Sequence, residues 1–381
     1  MSNKTPFVFG VKAEGENFTD RREETKNLLA NFQYGVNTIL ISPRRMGKTS
    51  LVEKVCNMID DNEIRIVRID AFGTRCEIDF INAFATAVIR ATSTKWEEWM
   101  ENAKVFLSRF VPKISLGQDP LNDFSISLEY NPNNNTTDEI LKLPEMIANQ
   151  KGYKIVVCID EFQQIGEYSD SLTFQKKLRS VWQLQKNVSY CMYGSKKHMM
   201  EKIFLNRSYP FYRFGDVMYL KKISERDWVD YICERFDATG KKISRELAKE
   251  VTILTECYSS YVQHLAWFLW LKTDNEATED DLRYATNRLL DSQEALFIQQ
   301  TEGLSDYQMN FLHAIADGVH TGFTQKSVLS KYRLGTSANI TRLKNTLKEK
   351  DLIETTEPRS LDMSDPILKL WLKKRVWSTY S

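Results

Sequence analysis

The sequence predicts an α/β protein with a parallel sheet core, followed by a helical domain and a small C-terminal domain of three helices and a hairpin. Apolar runs alternate with helix-like segments over residues 1–221, the order expected of a parallel sheet with helices on both faces. The run 154–161 has an uninterrupted apolar centre, as in a strand buried on both faces. Beyond residue 222 strand signals stop and helical patterns follow. These observations predict the fold class.

Length and composition describe a packed chain of several domains. A length of 381 residues with 42% hydrophobic and 12% aromatic content excludes a disordered protein. The net charge of +1 excludes a polycation, so any nucleic-acid contact must come from a local patch. The six cysteines include no C-x-x-C pair, which favours reduced core thiols. No signal-peptide core or membrane-length apolar run is present, and we expect a cytoplasmic protein without membrane contact.

The first predicted domain, residues 1–221, contains five strands and the helices between them. The strands are predicted at 36–41, 64–70, 154–161, 188–193 and 217–220. An entry loop and a helix are predicted over 18–34, and further helices at 49–59, 80–91, 140–149 and 174–185. Thr19 or Asp20 is expected to cap the first helix.

Residues 92–137 interrupt this regular order. A helical part over 96–110 precedes two short strand-like runs, 114–116 and 124–128, which would pair as a hairpin. We interpret the segment as a surface insertion without an assigned role.

The segment between the first strand and its helix has the character of a phosphate-binding loop. Its residues are Ser42, Pro43, Arg44, Arg45, Met46, Gly47, Lys48, Thr49 and Ser50. The run from Gly47 to Thr49 matches the second half of G-x-x-x-x-G-K-[ST], but Ser42 occupies the place of the first glycine. Gly47 would permit close backbone approach, Lys48 would place a cation on the phosphates, and Thr49 would bind Mg²⁺. Arg44 and Arg45 either face phosphate or are solvated or structural.

Two carboxylates stand at the end of the most strand-like run. Asp160 could hold Mg²⁺, and Glu161 could orient and deprotonate an attacking water. Ligands of parallel α/β sheets bind at the carboxyl ends of the strands. The loop and this pair therefore predict a Mg²⁺–nucleotide site, with adenine favoured by default and with Lys48 and Glu161 in catalytic roles.

Three further residues are candidates for the same chemistry. Ser195 follows the strand 188–193 and either touches the γ-phosphate or the attacking water, or caps the next helix. Arg207 and Arg213 are candidates for an arginine finger, with ordinary ion pairs as the alternative.

Two more domains follow. Helices predicted at 224–236, 244–254, 260–271 and 278–300 form a helical domain over 222–302, several of them with Ser or Thr at the N-cap. Helices at 306–316, 324–332, 337–350 and 366–376, with strands at 352–356 and 361–363, give residues 303–381 the order of a winged helix.

The helix predicted over 337–350 is the candidate recognition helix of that last domain. Its DNA-contact candidates are Asn339, Arg342, Lys344, Asn345 and Lys348. The alternative is a solvated helix in a winged helix that binds protein.

With these motifs placed, the chain resembles the archaeal-type P-loop ATPases, relatives of AAA-type and STAND NTPases and, more distantly, of the origin-recognition initiators. The matching segments are 18–24, 42–51, 159–163, 193–195 and 258–265, and the resemblance covers nearly the whole chain. The lid segment departs from the family pattern at Ser259 and Ser260 and offers no evident sensor-2 arginine.

The resemblance implies a P-loop NTPase core, a helical lid and a winged helix, with ATP and Mg²⁺ as cofactors. It makes Lys48 and Thr49 the Walker A contacts to phosphate and Mg²⁺, and Asp160 with Glu161 the Walker B pair. Ser195 would be the sensor at the γ-phosphate. Phe18, Asp20 and Arg21 would lie near adenine. Serine at the position of Ser42 is a familiar variant in this family.

The prediction is an ATP-dependent molecular switch. Mg-ATP would bind between the α/β core and the lid, and slow hydrolysis would reposition the winged helix on double-stranded DNA or on a partner protein. The alternative is a nucleotide-stabilised protein-interaction scaffold with incidental hydrolysis, and a weaker third hypothesis is a ring-shaped DNA-remodelling motor. Homo-oligomerisation stays open.

Overall fold

The computed structural model describes residues 5–60, 62–93, 98, 113–118, 124–129, 136–357 and 360–377, with only the backbone for 113–118, 124–129 and 357. The chain divides into two compact units. The sheet unit comprises Arg21–Arg44 and Lys48–Lys221, and the helical unit comprises Met1–Asp20, Arg45–Gly47 and Lys222–Ser381.

A five-stranded parallel sheet forms the centre of the sheet unit. Its strands are β1 (Thr38–Ile41), β2 (Ile64–Asp70), β5 (Lys154–Asp160), β6 (Val188–Gly194) and β7 (Asp216–Tyr219). They lie in the order β2-β5-β6-β1-β7, and all described pairings among them are parallel. The predicted parallel α/β core is confirmed.

Helices accompany the sheet in alternation with its strands. They are α1 (Arg22–Tyr34), α2 (Lys48–Cys56), α3 (Glu77–Ala91), α4 (Thr136–Lys151), a 3₁₀ helix (Phe162–Glu167), α5 (Ser171–Trp182) and α6 (Lys197–Leu205). Strand β5 is buried from Ile155 to Ile159, as its apolar run predicts. Phe80 of α3 and Phe174 of α5 meet edge to face at 5.5 Å. One apolar core joins α3, α4, α5 and α6 to the strands β1, β2, β5 and β6.

The start of α1 differs from the prediction. The N-cap residue is Arg21, in the left-handed region at φ 66°, and no side chain caps the helix. The Arg21 guanidinium is buried and donates to the Lys221 carbonyl and, at 3.1 Å, to Glu24. The expected cap by Thr19 or Asp20 is wrong, because this buried arginine fixes the first turn instead.

The predicted hairpin is present in the backbone. Strands β3 (Lys113–Gln118) and β4 (Phe124–Glu129) pair antiparallel, with Ile114 opposite Leu128. Apart from Glu98, the helical part predicted over 96–110 lies outside the described residues.

Three cysteines lie in the core of the sheet unit. Cys56, Cys158 and Cys191 are buried free thiols. The sulfur atoms of Cys56 and Cys158 are 3.9 Å apart, and Cys158 pairs in register with Cys191 across β5 and β6. The expectation of reduced core thiols is confirmed for these three, whereas Cys76 is exposed.

Four helices follow in the helical unit, as predicted. They are α7 (Glu225–Asp237), α8 (Arg245–Leu254), α9 (Ser259–Lys272) and α10 (Glu279–Thr301). Ser224, Ser244 and Thr278 accept the backbone N–H of the third helical residue at the starts of α7, α8 and α10. These hydroxyls satisfy donors that a helix leaves unpaired, which explains why the sequence located the boundaries well.

The C-terminal part of the helical unit has the winged-helix order. Its elements are α11 (Asp306–Ala316), α12 (Lys326–Lys331), α13 (Ser337–Glu349), β8 (Ile353–Glu357), β9 (Ser360–Met363) and α14 (Pro366–Trp371), followed by a π-helical turn (Leu372–Val376). Ile340, Leu343 and Leu347 turn the apolar face of α13 inward, as predicted. Among the residues that the structure describes, no helix combines the length and apolarity needed to cross a bilayer.

Candidate functional site

The predicted phosphate loop joins β1 to α2. Gly47 has φ +83°, in the left-handed region where a side chain strains the backbone, so this position favours glycine. Ser42 is not among the residues with positive φ, and its hydroxyl donates to the Pro43 carbonyl at 3.0 Å. The first position of the motif therefore has no conformational need for glycine in this chain.

Lys48 begins α2 and is 6% exposed. Its Nζ donates to the carbonyl oxygens of Ser42 at 3.4 Å and Pro43 at 3.2 Å. Burial lowers the pKa of Lys48 to about 8, and the carboxylates of Glu161 and Asp160 oppose that shift. A buried cation at the N-terminus of a helix is the electrostatic arrangement that binds phosphate.

Thr49 and Asp160 come together across the sheet unit. The Thr49 hydroxyl donates to Asp160 Oδ2 at 3.0 Å. Burial raises the pKa of Asp160 to about 6, and the charge of Glu161 adds to the rise. A hydroxyl and a carboxylate are oxygen ligands of the kind Mg²⁺ takes. Within the described ranges no cluster of three His, Cys, Asp or Glu side chains has metal-ligand spacing.

Glu161 follows β5 in the left-handed region, at φ 48°. Its Oε2 accepts the Ser195 hydroxyl at 2.8 Å and the amide nitrogen of Gln163. The next helix, α6, begins at Lys197 with Lys196 as N-cap, so the alternative that Ser195 caps this helix is wrong. Ser195 instead contacts the carboxylate proposed as the base.

Arg45 is bound within the helical unit. Its guanidinium pairs with Asp365 and lies over the Tyr261 ring, 4.6 Å from the centroid. The Tyr261 hydroxyl donates to the same Asp365 oxygen at 2.6 Å. The carbonyl of Arg45 accepts Ser260 N–H at 3.1 Å. These contacts fit the structural alternative for Arg45.

The other loop and adenine candidates have varied surroundings. Arg44 is exposed, Pro43, Thr49 and Ser50 are half-buried, and Met46 is buried. The Met46 carbonyl accepts the Ser259 hydroxyl at 3.4 Å. Ser259 and Ser260, the two departures from the family segment, thus hold the loop backbone at the start of α9. Phe18 is half-buried and Asp20 is exposed.

The two arginine-finger candidates are both exposed. Arg213 lies over the Tyr212 ring at 5.3 Å. Neither Arg207 nor Arg213 forms an ion pair with any residue that the structure describes. The ion-pair alternative for these two side chains is therefore not found.

The winged-helix candidates differ in how free their side chains are. Arg342 and Asn345 are exposed, and Asn339 is half-buried. Lys344 lies over the Phe323 ring at 5.1 Å, and Lys348 donates to the Thr355 hydroxyl at 2.8 Å. Only some of the predicted DNA-contact side chains are therefore exposed to solvent.

Sequence reasoning assigned no role to Gln163 or Asp365. Gln163 lies within the matching segment 159–163, and Asp365 precedes Pro366 at the start of a helix. An aspartate before proline indicates a helix cap, and that role is present because Asp365 Oδ1 accepts the N–H groups of Ile367 and Leu368. Its bond to Arg45 spans 320 positions of sequence and has no local signal.

Comparisons with known proteins agree with this architecture. A family model described as a probable winged helix domain matches residues 295–374. The chain is similar to a Walker-type ATPase of Pyrococcus abyssi, with TM-score 0.69 and 18% identity over 97% of this chain and 99% of that chain. It is also similar to the ORC2 protein of Aeropyrum pernix in ADPNP–ADP complexes, with TM-score 0.57 and 12% identity over 100% of this chain and 99% of that chain. No curated protein matches the sequence.

These likenesses extend over nearly the full length of both chains. They confirm the P-loop ATPase fold and, at the level of the fold, the resemblance to archaeal ATPases and origin-recognition proteins.

Proposed function

We propose that the protein is a Mg-ATP-dependent switch whose nucleotide state controls its winged helix. The observation that carries this proposal is the ion pair between Arg45, inside the phosphate loop, and Asp365, the cap of α14. A residue that phosphate binding would displace is thereby bonded to an element of the winged helix.

The site geometry supports a nucleotide role for each of the following residues. Lys48 would bind the terminal phosphates, with Thr49 and Asp160 holding Mg²⁺. When bound, Mg²⁺ would neutralise the charge that develops on the phosphate oxygens. Glu161 would orient and deprotonate the attacking water, and Ser195 would report the γ-phosphate to Glu161 through their hydrogen bond. That the Pyrococcus abyssi neighbour is a Walker-type ATPase supports ATP as the nucleotide.

Competition between two anions would drive the switch. The Arg45 guanidinium can pair with Asp365 or with nucleotide phosphate, and both are partners that arginine binds well. Asp365 uses Oδ2 for Arg45 and Tyr261 and Oδ1 for the first turn of α14. Withdrawal of Arg45 would leave this carboxylate without its cation and so change the start of α14.

The nucleotide site is tested by Lys48→Ala with ATP titrated in a calorimeter. We expect loss of ATP binding, because the buried ammonium at the phosphates is removed. Lys54→Ala, at an exposed position of α2, is the matched control and should bind as the wild type does. Tight binding by Lys48→Ala would contradict the site assignment.

The coupling is tested by Tyr261→Phe, which removes the hydroxyl that shares Asp365 with Arg45. We expect ATP affinity to persist while ATP-dependent changes in hydrogen exchange over 306–377 diminish. Tyr284→Phe is the control, since Tyr284 is 49% exposed in the helical unit. An unchanged exchange response in Tyr261→Phe would contradict the proposed route.

The partner of the winged helix is double-stranded DNA in our proposal, with protein as the second candidate. The exposed Arg342 and Asn345 favour DNA, whereas the engagement of Lys344 and Lys348 within the domain favours a protein partner. DNA affinity that falls steeply with salt would support the first candidate. Little DNA binding at any salt concentration would support the nucleotide-stabilised scaffold.

A further inference from the structure

We infer that Gln163 is a positioning residue that fixes Glu161 for water activation. The inference rests on the proposed ATP hydrolysis and names one more residue of that site. Its basis is a hydrogen bond from a buried amide to the carboxylate, made possible by a glycine on the neighbouring strand.

The two oxygens of Glu161 have different surroundings. Oε2 accepts the Gln163 amide nitrogen and the Ser195 hydroxyl, the latter at 2.8 Å. No residue in the described part of the chain donates to Oε1. The carboxylate is thus held by one oxygen, and the other is left to accept a proton.

Gly194 makes room for the Gln163 side chain. A Cβ at residue 194 would lie 1.8 Å from Gln163 Oε1 and 3.0 Å from its Cδ. Since Gly194 ends β6 directly before Ser195, the glycine and the two donors to Glu161 form one cluster. Any larger residue at 194 would displace the amide from the carboxylate.

Stability alone does not account for this amide. Gln163 is 3% exposed, and its Oε1 is buried without a hydrogen-bond partner among the described residues. An unpaired buried carbonyl destabilises a fold, and polar groups kept at such a cost are typical of functional sites. The hydrogen bond that we regard as functional is the one that the amide nitrogen donates to Glu161.

The reaction assigns a separate part to each group. The water oxygen bonds to the γ-phosphorus while the bond from that phosphorus to the bridging oxygen breaks, and ADP leaves with the electron pair. The proton of the water passes to Glu161 Oε1. Gln163 exchanges no proton and acts only by holding Oε2.

Gln163→Met is the direct test, because methionine preserves length and burial but cannot donate. We expect kcat for ATP hydrolysis to fall on the order of 10- to 100-fold, the scale of a misplaced catalytic group. ATP affinity should stay unchanged, and Tm should be unchanged or higher. Gln164→Met is the control, since Gln164 is half-buried and its amide donates to Glu167 at 3.3 Å.

A second pair of variants tests the packing argument. Gly194→Ala should lower kcat as Gln163→Met does, whereas in a Gln163→Ala background the added methyl should have little further effect. Independent, multiplicative losses would overturn the proposed link between the two positions.

The possible outcomes distinguish failure of this inference from failure of the proposed ATP hydrolysis. A wild-type protein that binds ATP without hydrolysing it would overturn the hydrolytic function together with this inference. An active wild type whose kcat is unchanged by Gln163→Met would overturn the inference alone. A parallel loss of ATP affinity and Tm would also overturn it, because Gln163 would then be structural.

Discussion

Asp160 is a residue whose charge becomes unfavourable when the chain folds. Burial raises its pKa from 3.8 to about 6, so the folded chain binds the proton more strongly than the unfolded chain does. The ionised carboxylate therefore lowers stability as the pH rises from 3.8 through about 6. A bound cation would relieve this unfavourable charge.

Asp160→Asn should make the nucleotide-free protein more stable at pH 7, by about 1–3 kcal/mol, because the neutral amide avoids the buried charge. The gain should vanish towards pH 4. Urea unfolding at the two pH values measures it, with Asp170→Asn as an exposed control. A loss of stability at pH 7 would show that the bond to Thr49 outweighs burial.

Gly47→Ala should destabilise the protein by about 1–2 kcal/mol, because residue 47 has φ +83° and a side chain is strained there although space is open. ATP affinity should fall with it. Gly303→Ala is the matched control, since Gly303 lacks a positive φ and no atom lies within 4 Å of the place that a methyl group would take. Equal unfolding midpoints for the two variants would contradict the argument.

The roles of single residues could be predicted from the sequence where a local motif marks the residue itself. Lys48 and Thr49 follow a local pattern, and the structure places Thr49 on Asp160. Arg45 could not be assigned, because its partner Asp365 is distant in sequence. The position of the Gln163 amide depends on the absence of a side chain at Gly194, which no pattern near residue 163 reveals.

At the scale of elements, the candidate recognition helix presents an uneven surface. On α13, Arg342 and Asn345 are exposed, whereas Lys344 and Lys348 contact Phe323 and Thr355. Side chains already engaged within a domain contribute less to a partner.

Arg342→Ala should therefore weaken DNA binding more than Lys348→Ala. For a phosphate contact, we expect the slope of log affinity against log salt to fall by about one unit. Fluorescence anisotropy at several salt concentrations measures both variants. An equal or larger effect of Lys348→Ala would mean that its bond to Thr355 opens on binding.

Element boundaries were predicted best where a local cap defines them. Helix α10 begins with a capping box between Thr278 and Asp281, and α11 with one between Ser305 and Gln308. The start of α1 was misplaced because Arg21 adopts a left-handed conformation that its residue type does not favour. Its side chain contacts the Lys221 carbonyl, which is far along the chain and gives no local signal.

At the scale of the whole molecule, one short segment belongs to a different compact unit from its neighbours in sequence. Arg45–Gly47 belongs to the helical unit although both neighbouring segments belong to the sheet unit. The sequence predicted the fold class and the order of the elements. It does not predict that these three residues group with the helical unit. The division at 1–221, 222–302 and 303–381 stays a proposal.

Mg-ATP should raise the Tm of the wild type and leave that of Lys48→Ala unchanged. Binding to the folded state alone stabilises by about 2.7 kcal/mol at a hundredfold excess over Kd. Differential scanning fluorimetry with ATP and GTP tests both the site and the preference for adenine. Equal shifts with the two nucleotides would contradict that preference.

The three buried thiols provide a chemical measure of how often the sheet unit opens. Cys56 lies on the helix that Lys48 begins, and Cys158 and Cys191 lie opposite each other on β5 and β6. In a background with the exposed Cys76 and the half-buried Cys233 and Cys257 replaced by serine, the alkylation rate of the three buried sulfurs would report how often helix and strands separate. A ligand on the loop should slow this alkylation, so the reaction of the buried thiols can report occupancy of the loop in the purified protein.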